Sequence, residues 1–353
     1  MNDGTAVERW RRLTVKEDWR RFVDDEPPER PERLTAARYR SLGACAREHY
    51  DEQRLGYAPA LVIRNLFEEA HKALWRLVRL NEFKGPGARH GAMLDGNPGN
   101  GKSTSASQFG RLYERRCRER YPHELTPDGH EYLPVLYVNV DAYPTVKGLN
   151  RAVLGFYGLH PKRADTSELT EVVLRCASLC GTSLIVIDDI HLLELHREAD
   201  RDANNHLKRL ANDARATFLY AGVGLEHTGF MHEGRAPGDA QLAQISQRFK
   251  RIPVSAMQRS REHDKELFLG VLSVYERELV LLGAKAGDLT GIADYLWLRT
   301  QGVIGSLSQL LCEGTIEAIQ SARERITKKL LDEIDIGYTA EVASGRHEPS
   351  LAA

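Results

Sequence analysis

Cysteine is scarce in this chain of 353 residues, with five in all. Cys176 and Cys180 lie four apart on an expected helix face, but no second Cys/His pair stands at ligand spacing. A zinc site therefore gives way to a reading as core thiols. Long apolar runs are missing as well: nothing approaches eighteen consecutive apolar residues, which excludes a membrane-spanning helix. The start, Met1-Asn2-Asp3-Gly4, lacks the charged and apolar regions of a signal peptide, so the expected location is the cytoplasm, with no membrane partner. Net charge is nearly absent, at −1. That argues against a protein that coats nucleic acid by bulk charge and leaves room only for a local basic stripe. One candidate stripe is Arg111-Leu112-Tyr113-Glu114-Arg115-Arg116-Cys117-Arg118-Glu119-Arg120, where the interleaved Glu residues favour a solvated helix face. No internal repeat is visible. What is present, 42% hydrophobic and 28% charged residues, suffices for a sizeable core and more than one domain.

The most informative stretch is Gly96-Asn97-Pro98-Gly99-Asn100-Gly101-Lys102-Ser103-Thr104, a G-x-x-x-x-G-K-[ST] pattern. The apolar run Ala92-Met93-Leu94 before it reads as a strand feeding the loop. Glycines let successive backbone N–H groups turn inward around phosphates, and the following helix contributes its positive N-terminal end. The chemistry implied is ATP binding with Mg²⁺: Lys102 reaches the β- and γ-phosphates and Ser103 ligates the metal.

A second motif, Ser183-Leu184-Ile185-Val186-Ile187-Asp188-Asp189, reads as a buried parallel strand ending in two carboxylates. It looks like a Walker B strand. Asp188 would hold Mg²⁺ through water, and Asp189 stands where a base or water-orienting carboxylate, usually Glu, serves hydrolysing proteins. Asp is one methylene shorter, which predicts slow hydrolysis, below about 1 s⁻¹, and a protein that acts mainly as an ATP-gated switch. The alternative is that the two acids merely cap the next helix.

Residues 1–59 are rich in Arg, Glu and Pro, with Pro27-Pro28-Glu29-Arg30-Pro31-Glu32-Arg33 at the centre. Such a stretch cannot pack a core by itself and reads as an N-terminal extension that docks on another surface or stays mobile, with Trp10, Trp19, Phe22 and Val23 spaced as anchors; the alternative is an arm packed on its own domain. Leu61, Leu66, Ala70, Leu74 and Leu77 suit an amphipathic helix over 60–80. Strands are expected at Ala92–Leu94, Val135–Val140, Leu184–Asp188, Thr217–Ala221 and Arg251–Val254, with helices between them. This alternation predicts an α/β domain over 60–256, a parallel sheet flanked by helices with ligands at the carboxyl ends of its strands. Helical patterns over His263–Leu282, Leu289–Arg299, Ile304–Ala322 and Thr327–Glu333 predict a small all-helical domain over 257–340, and 341–353 reads as a flexible tail.

A phosphate-loop α/β domain followed by a small helical lid resembles the AAA+ P-loop ATPases. The string Gln301-Gly302-Val303-Ile304-Gly305-Ser306-Leu307-Ser308-Gln309-Leu310-Leu311, with Ile319 and Ile326-Thr327-Lys328 downstream, is closer still to the TniB/TnsC family, to which bacteriophage MuB is more distantly related. Further likeness lies in Asp188-Asp189-Ile190-His191-Leu192-Leu193, Asn205-His206-Leu207-Lys208-Arg209-Leu210, Tyr220-Ala221-Gly222 and Gln247-Arg248-Phe249. Members of that family are ATPases of transposition that choose target DNA and activate a DDE transposase.

The resemblance implies a homo-oligomer, a ring or filament, on double-stranded DNA without sequence preference, with a DDE transposase and a TniQ-like adaptor as partners. Arg248 matches the arginine that a neighbouring subunit points at the γ-phosphate, with Arg251 as the fallback; the alternative for either is a surface arginine. The loop from Asp141 to Gly148 resembles the DNA-facing loop, with Lys147 and Thr145 as phosphate contacts or, alternatively, simple turn residues. Two departures stand out. Ala221 and Gly222 occupy a position where many AAA+ proteins carry a polar γ-phosphate sensor, and Ser308 replaces the lid arginine; both agree with slow turnover. A different class, the STAND-type signalling ATPases, shares a two-aspartate Walker B but usually carries repeat arrays.

Overall fold

A computed structural model of the chain describes residues 11–85, 87, 89–140, 145–193, 209–211, 213–225 and 248–346. They fall into two compact units. The first holds the described residues of Met1–Asp25, Glu69–Pro98 and Lys102–Val254; the second holds those of Glu26–Glu68, Gly99–Gly101 and Ser255–Ala353.

The first unit is built on a five-stranded, wholly parallel sheet. Its strands are β1 (Gly91–Asp95), β2 (Val135–Asn139), β3 (Leu184–Asp188), β4 (Thr217–Gly222) and β5 (Phe249–Pro253), in the order β2-β3-β4-β1-β5. β1, β3 and β4 are buried along their whole length, as parallel strands covered on both faces must be. Their apolar side chains pack with Phe109 of α5 (Lys102–Arg120) and with α6 (Val146–Phe156) and α7 (Thr166–Leu179). α7 begins with a reciprocal capping box between Asp165 and Glu168. β5 starts two residues earlier than the sequence predicts. It is an edge strand with only Phe249 and Ile252 buried, so no continuous apolar run marks it; Phe249 is instead fixed by stacking on Tyr220 at 4.8 Å.

The Arg/Glu/Pro-rich segment does not form a unit of its own. Its first helix, α1 (Lys16–Asp24), belongs to the sheet unit, where Trp19 is fully buried. The Trp19 ring stacks on Tyr137 with centroids 5.5 Å apart, and its indole N–H donates to Glu114 of α5 at 2.6 Å. Three of the five arginines of the expected solvated stripe are engaged here, while Arg116 lies over Trp75 and Arg120 pairs with Glu82. Arg115 donates to the Val23 carbonyl at 2.7 Å, Arg111 to the Asp25 carbonyl, and Arg118 to the Asp24 carboxylate at 2.6 Å. Cations at the carboxyl end of α1 satisfy carbonyls that the helix itself leaves unpaired.

The second unit takes the rest of that segment. α2 (Ala36–Ser41) and α3 (Ala44–Ala60) precede a 3₁₀ turn at Arg64–Phe67 and then α4 (Glu68–Glu82), so the expected continuous helix over 60–80 is interrupted. Pro59 lies in the last turn of α3, and Leu61 and Ile63 take extended backbone. α3 packs among α8 (Glu262–Glu278), α9 (Ala293–Thr300), α10 (Ile304–Gln320) and α11 (Lys328–Leu331), with Ala58 and Ile63 joining a core of Phe268, Leu272, Leu307 and Leu310. The segment packs despite its charge because the buried Arg54 has both terminal guanidinium nitrogens paired, although its Nε has no partner among the described residues. It donates to Glu324 at 2.7 Å, to the Val280 carbonyl at 3.2 Å and to Asp51. The expected tail begins late: Tyr338–Ala343 forms α12, whose buried Glu341 accepts from Arg299 at 2.9 Å. Among the described residues, no helix is long and apolar enough to cross a membrane.

Candidate nucleotide-binding site

The carboxyl edge of the sheet gathers the chemistry. β1 ends at Asp95 and β3 ends at Asp188, both buried. The phosphate-loop pattern leaves β1 directly, and Lys102 and Ser103 open α5. Gly99 and Gly101 have φ of +78° and +85°, a region that glycine enters freely and other residues rarely do. Gly96 is required for space: a Cβ there would stand 1.8 Å from the Val254 carbonyl oxygen. Asn97, Pro98 and Asn100 complete the loop, and Thr104 follows Ser103 in the first turn of α5.

Lys102 is buried, and its ammonium donates to the Asn97 carbonyl at 2.8 Å. Burial pulls its pKa below the ordinary lysine value, against the carboxylates of Asp188, Asp189 and Asp95, which favour the charged form. Asp188 lies in a denser network. Burial lifts its carboxyl above the ordinary range and the charge of Asp189 adds to the lift; hydrogen bonds from Tyr137, Ser103 and the Asp189 N–H oppose it. The Tyr137 hydroxyl donates to it at 2.6 Å and the Asp189 N–H at 3.0 Å. Ser103 and Asp188, the two expected magnesium residues, are therefore in contact.

Asp189 adopts the left-handed conformation, φ 51°, which turns its side chain out of the strand. Its carboxylate accepts from Asn139 at 3.0 Å. Tyr137 and Asn139 were missed in the sequence because they sit inside an apolar strand. They are two apart on β2 and so share a face, and the β2–β3 register sets Asn139 opposite Asp188. A polar residue near the carboxyl end of the expected strand Val135–Val140 was the only available signal.

Arg248 lies elsewhere. Its backbone carbonyl accepts from Gly91, at the amino ends of β5 and β1. A strand of five residues, Gly91–Asp95, separates that end from the carboxyl edge by roughly 15 Å, so Arg248 is remote from the Asp188 carboxylate of its own subunit. Arg251, the fallback, pairs within its own chain with Asp95 at 2.8 Å. Thr145 is the N-cap of α6, accepting from the Gly148 N–H at 3.1 Å, and Lys147 lies in the first turn. Residues 141–144, 205–208 and 247 and Trp10 lie outside the described residues. Ser308 is held inside the helical unit by a hydrogen bond with Tyr275.

A family model described as Bacterial TniB protein matches residues 64–259, more than half of the chain. The chain belongs to the TniB family. Among solved structures, this TniB-family chain resembles the Orc1 protein of Aeropyrum pernix in complex with DNA, with a TM-score of 0.56 and 17% identity. The match covers 81% of this chain and 66% of that one, just under two thirds of its length. Cdc6p from Pyrobaculum aerophilum matches with a TM-score of 0.51 at 18% identity, over 80% of this chain and 73% of that one. These likenesses establish the fold as AAA+: a parallel sheet flanked by helices, followed by an all-helical part. A comparison with curated proteins found no match.

Proposed function

We propose that this protein is an ATP-dependent, oligomeric regulator of transposition that binds duplex DNA without sequence preference and recruits a DDE transposase, with a TniQ-like adaptor as a further partner. The observation that carries the reading is the meeting of Lys102, Ser103, Asp188 and Asp189 at the carboxyl edge of an AAA+ sheet in a TniB-family chain. The donor set fits Mg²⁺-ATP. A hydroxyl and a buried carboxylate in contact suit a hard cation, and the glycine conformations of the loop suit a phosphate cradle.

Ser103 and Asp188 would hold the metal, which when bound neutralises charge on the phosphates. Lys102 has three N–H donors, one directed at Asn97, and the others would serve the β- and γ-phosphates. Asp189 would orient the attacking water while Asn139 fixes its carboxylate. The short acid and the absence of a lid arginine at Ser308 favour slow hydrolysis. Arg248, remote from its own site, suits a role in a neighbour's site, whereas Arg251 is tied to Asp95. Lys147 and Thr145 would face DNA phosphates; the Thr145 side chain also caps α6. The DNA in the Orc1 complex supports the choice of ligand.

The test is electron microscopy with a non-hydrolysable ATP analogue and random-sequence duplex, with Lys102→Ala and Arg248→Ala beside the natural protein. Rings or filaments that need both nucleotide and Arg248 are expected. Particles that remain monomeric with analogue and DNA present would refute the reading.

A further inference from the structure

A cleft of about 840 Å³ opens in the sheet unit, between the residues that lead into α1, Asn139 at the end of β2, the outer face of α6 and the turn that follows it. Four basic side chains line it: Arg12, Arg151, His160 and Lys162. No carboxylate does, among the described residues. That bias is unusual in a chain whose charges nearly cancel, with 49 Lys and Arg against 50 Asp and Glu. The basic neighbours Lys16 and Arg20 have acids of their own, since both pair with Glu131 and Lys16 also lies 3.9 Å from Glu17. Arg151 and Lys162 have no such acid among the described residues.

Between the bases the lining is apolar, from Val15, Ala152 and Leu159. Leu159 is 43% exposed and lines the cleft, so its apolar surface is open to a ligand there. A rim of cations around an apolar floor selects for a ligand that carries both features. Sequence-independent binding to duplex DNA runs on phosphate contacts alone and would leave Leu159 wet. The volume falls within the range of pockets that enclose a small ligand or a few side chains.

We propose that this cleft docks a short acidic segment of a partner protein, with carboxylates on Arg12, Arg151 and Lys162 and an apolar anchor against Leu159. Charge complementarity sets the sign of the segment, and the apolar floor sets its anchor. The cleft adjoins the proposed nucleotide site at Asn139, which donates to Asp189, and the proposed DNA contacts at Arg151, one helical turn beyond Lys147 on α6; competition with duplex separates the readings.

The probe is a fluorescein-labelled peptide of six glutamates around a central leucine, titrated against the full chain by anisotropy. Saturable binding is expected. Arg151→Ala and Lys162→Ala should each weaken it about fivefold, the upper range for a solvent-facing ion pair, with both expressed as folded proteins by circular dichroism. Replacing the peptide's leucine by serine, or Leu159→Ser in the protein, should also weaken it severalfold. Random-sequence duplex should fail to displace the peptide. Three results would overturn the proposal: no binding at millimolar peptide, equal binding of the leucine and serine peptides, or displacement by duplex together with loss of DNA affinity in the Arg151 and Lys162 variants. The last would assign the cleft to nucleic acid.

Discussion

Removing a single hydroxyl, in Tyr137→Phe, tests the proposed magnesium site without touching a residue that would contact ligand. The Tyr137 O–H reaches Asp188 over 2.6 Å in a buried setting. A hydrogen bond to a charged group contributes about 1.5–3 kcal/mol, and loss of a partner behind a metal ligand costs about 10–100-fold in metal affinity. The two figures agree, because 1.4 kcal/mol is about a factor of ten. Phenylalanine keeps the stacking on Trp19 at 5.5 Å, so the sheet is expected to persist. Isothermal titration with a non-hydrolysable ATP analogue should show at least tenfold weaker binding in Mg²⁺ and unchanged binding in EDTA. The sign with pH follows from the same bond. Burial already raises the Asp188 carboxyl above its ordinary range, and the ionised form is the one that serves the metal. Mg²⁺-dependent affinity therefore falls as pH drops toward that raised value, and Tyr137→Phe moves the fall to higher pH. An equal loss with and without Mg²⁺ would mean that Tyr137 shapes the phosphate loop instead, and no loss would refute the role of the bond.

Asp189→Asn should lower steady-state phosphate release by about 100-fold or more while ATP affinity by titration stays within a few fold, because a general base is lost and the cradle is not. Trp19→Ala removes a fully buried ring and leaves Glu114 short of a donor; urea unfolding should show a loss of about 3–5 kcal/mol, and a loss under 1 kcal/mol would mean that α1 does not hold the sheet unit. Glu341→Ala should destabilise the helical unit by about 3 kcal/mol, since it strands the buried Arg299. Burial pushes the Glu341 carboxyl up, but the Ile336 N–H and the Arg299 and Arg346 guanidinia outweigh it and hold the value below the usual glutamate range. Its contribution is therefore fully present above that range and lost as pH falls through the lowered value. Denaturation midpoints across acid pH should converge for the natural protein and the variant.

The sequence by itself determined what short spacing encodes. Gly96 to Thr104 pointed to a phosphate loop because the glycines and lysine of that pattern fall within nine consecutive residues. Leu184 to Asp189 announced a buried strand with acids at its end, because a parallel strand covered on both faces must be apolar throughout. The alternation of strands and helices and the helical patterns after Met257 were legible for the same reason, and four of the five strands begin within a residue of their expected positions. Tertiary structure decided whatever depends on partners distant in the chain. Charge in residues 26–60 looked incompatible with a core until Glu324, 270 residues away, was seen to neutralise Arg54. Arg115 and Arg118 looked solvated, but they clamp the end of α1. The strand order and the β2–β3 register brought Tyr137 and Asn139 to Asp188 and Asp189. Hydrogen bonds between side chains on different strands leave no periodicity in either strand, and only the closed sheet brings them together.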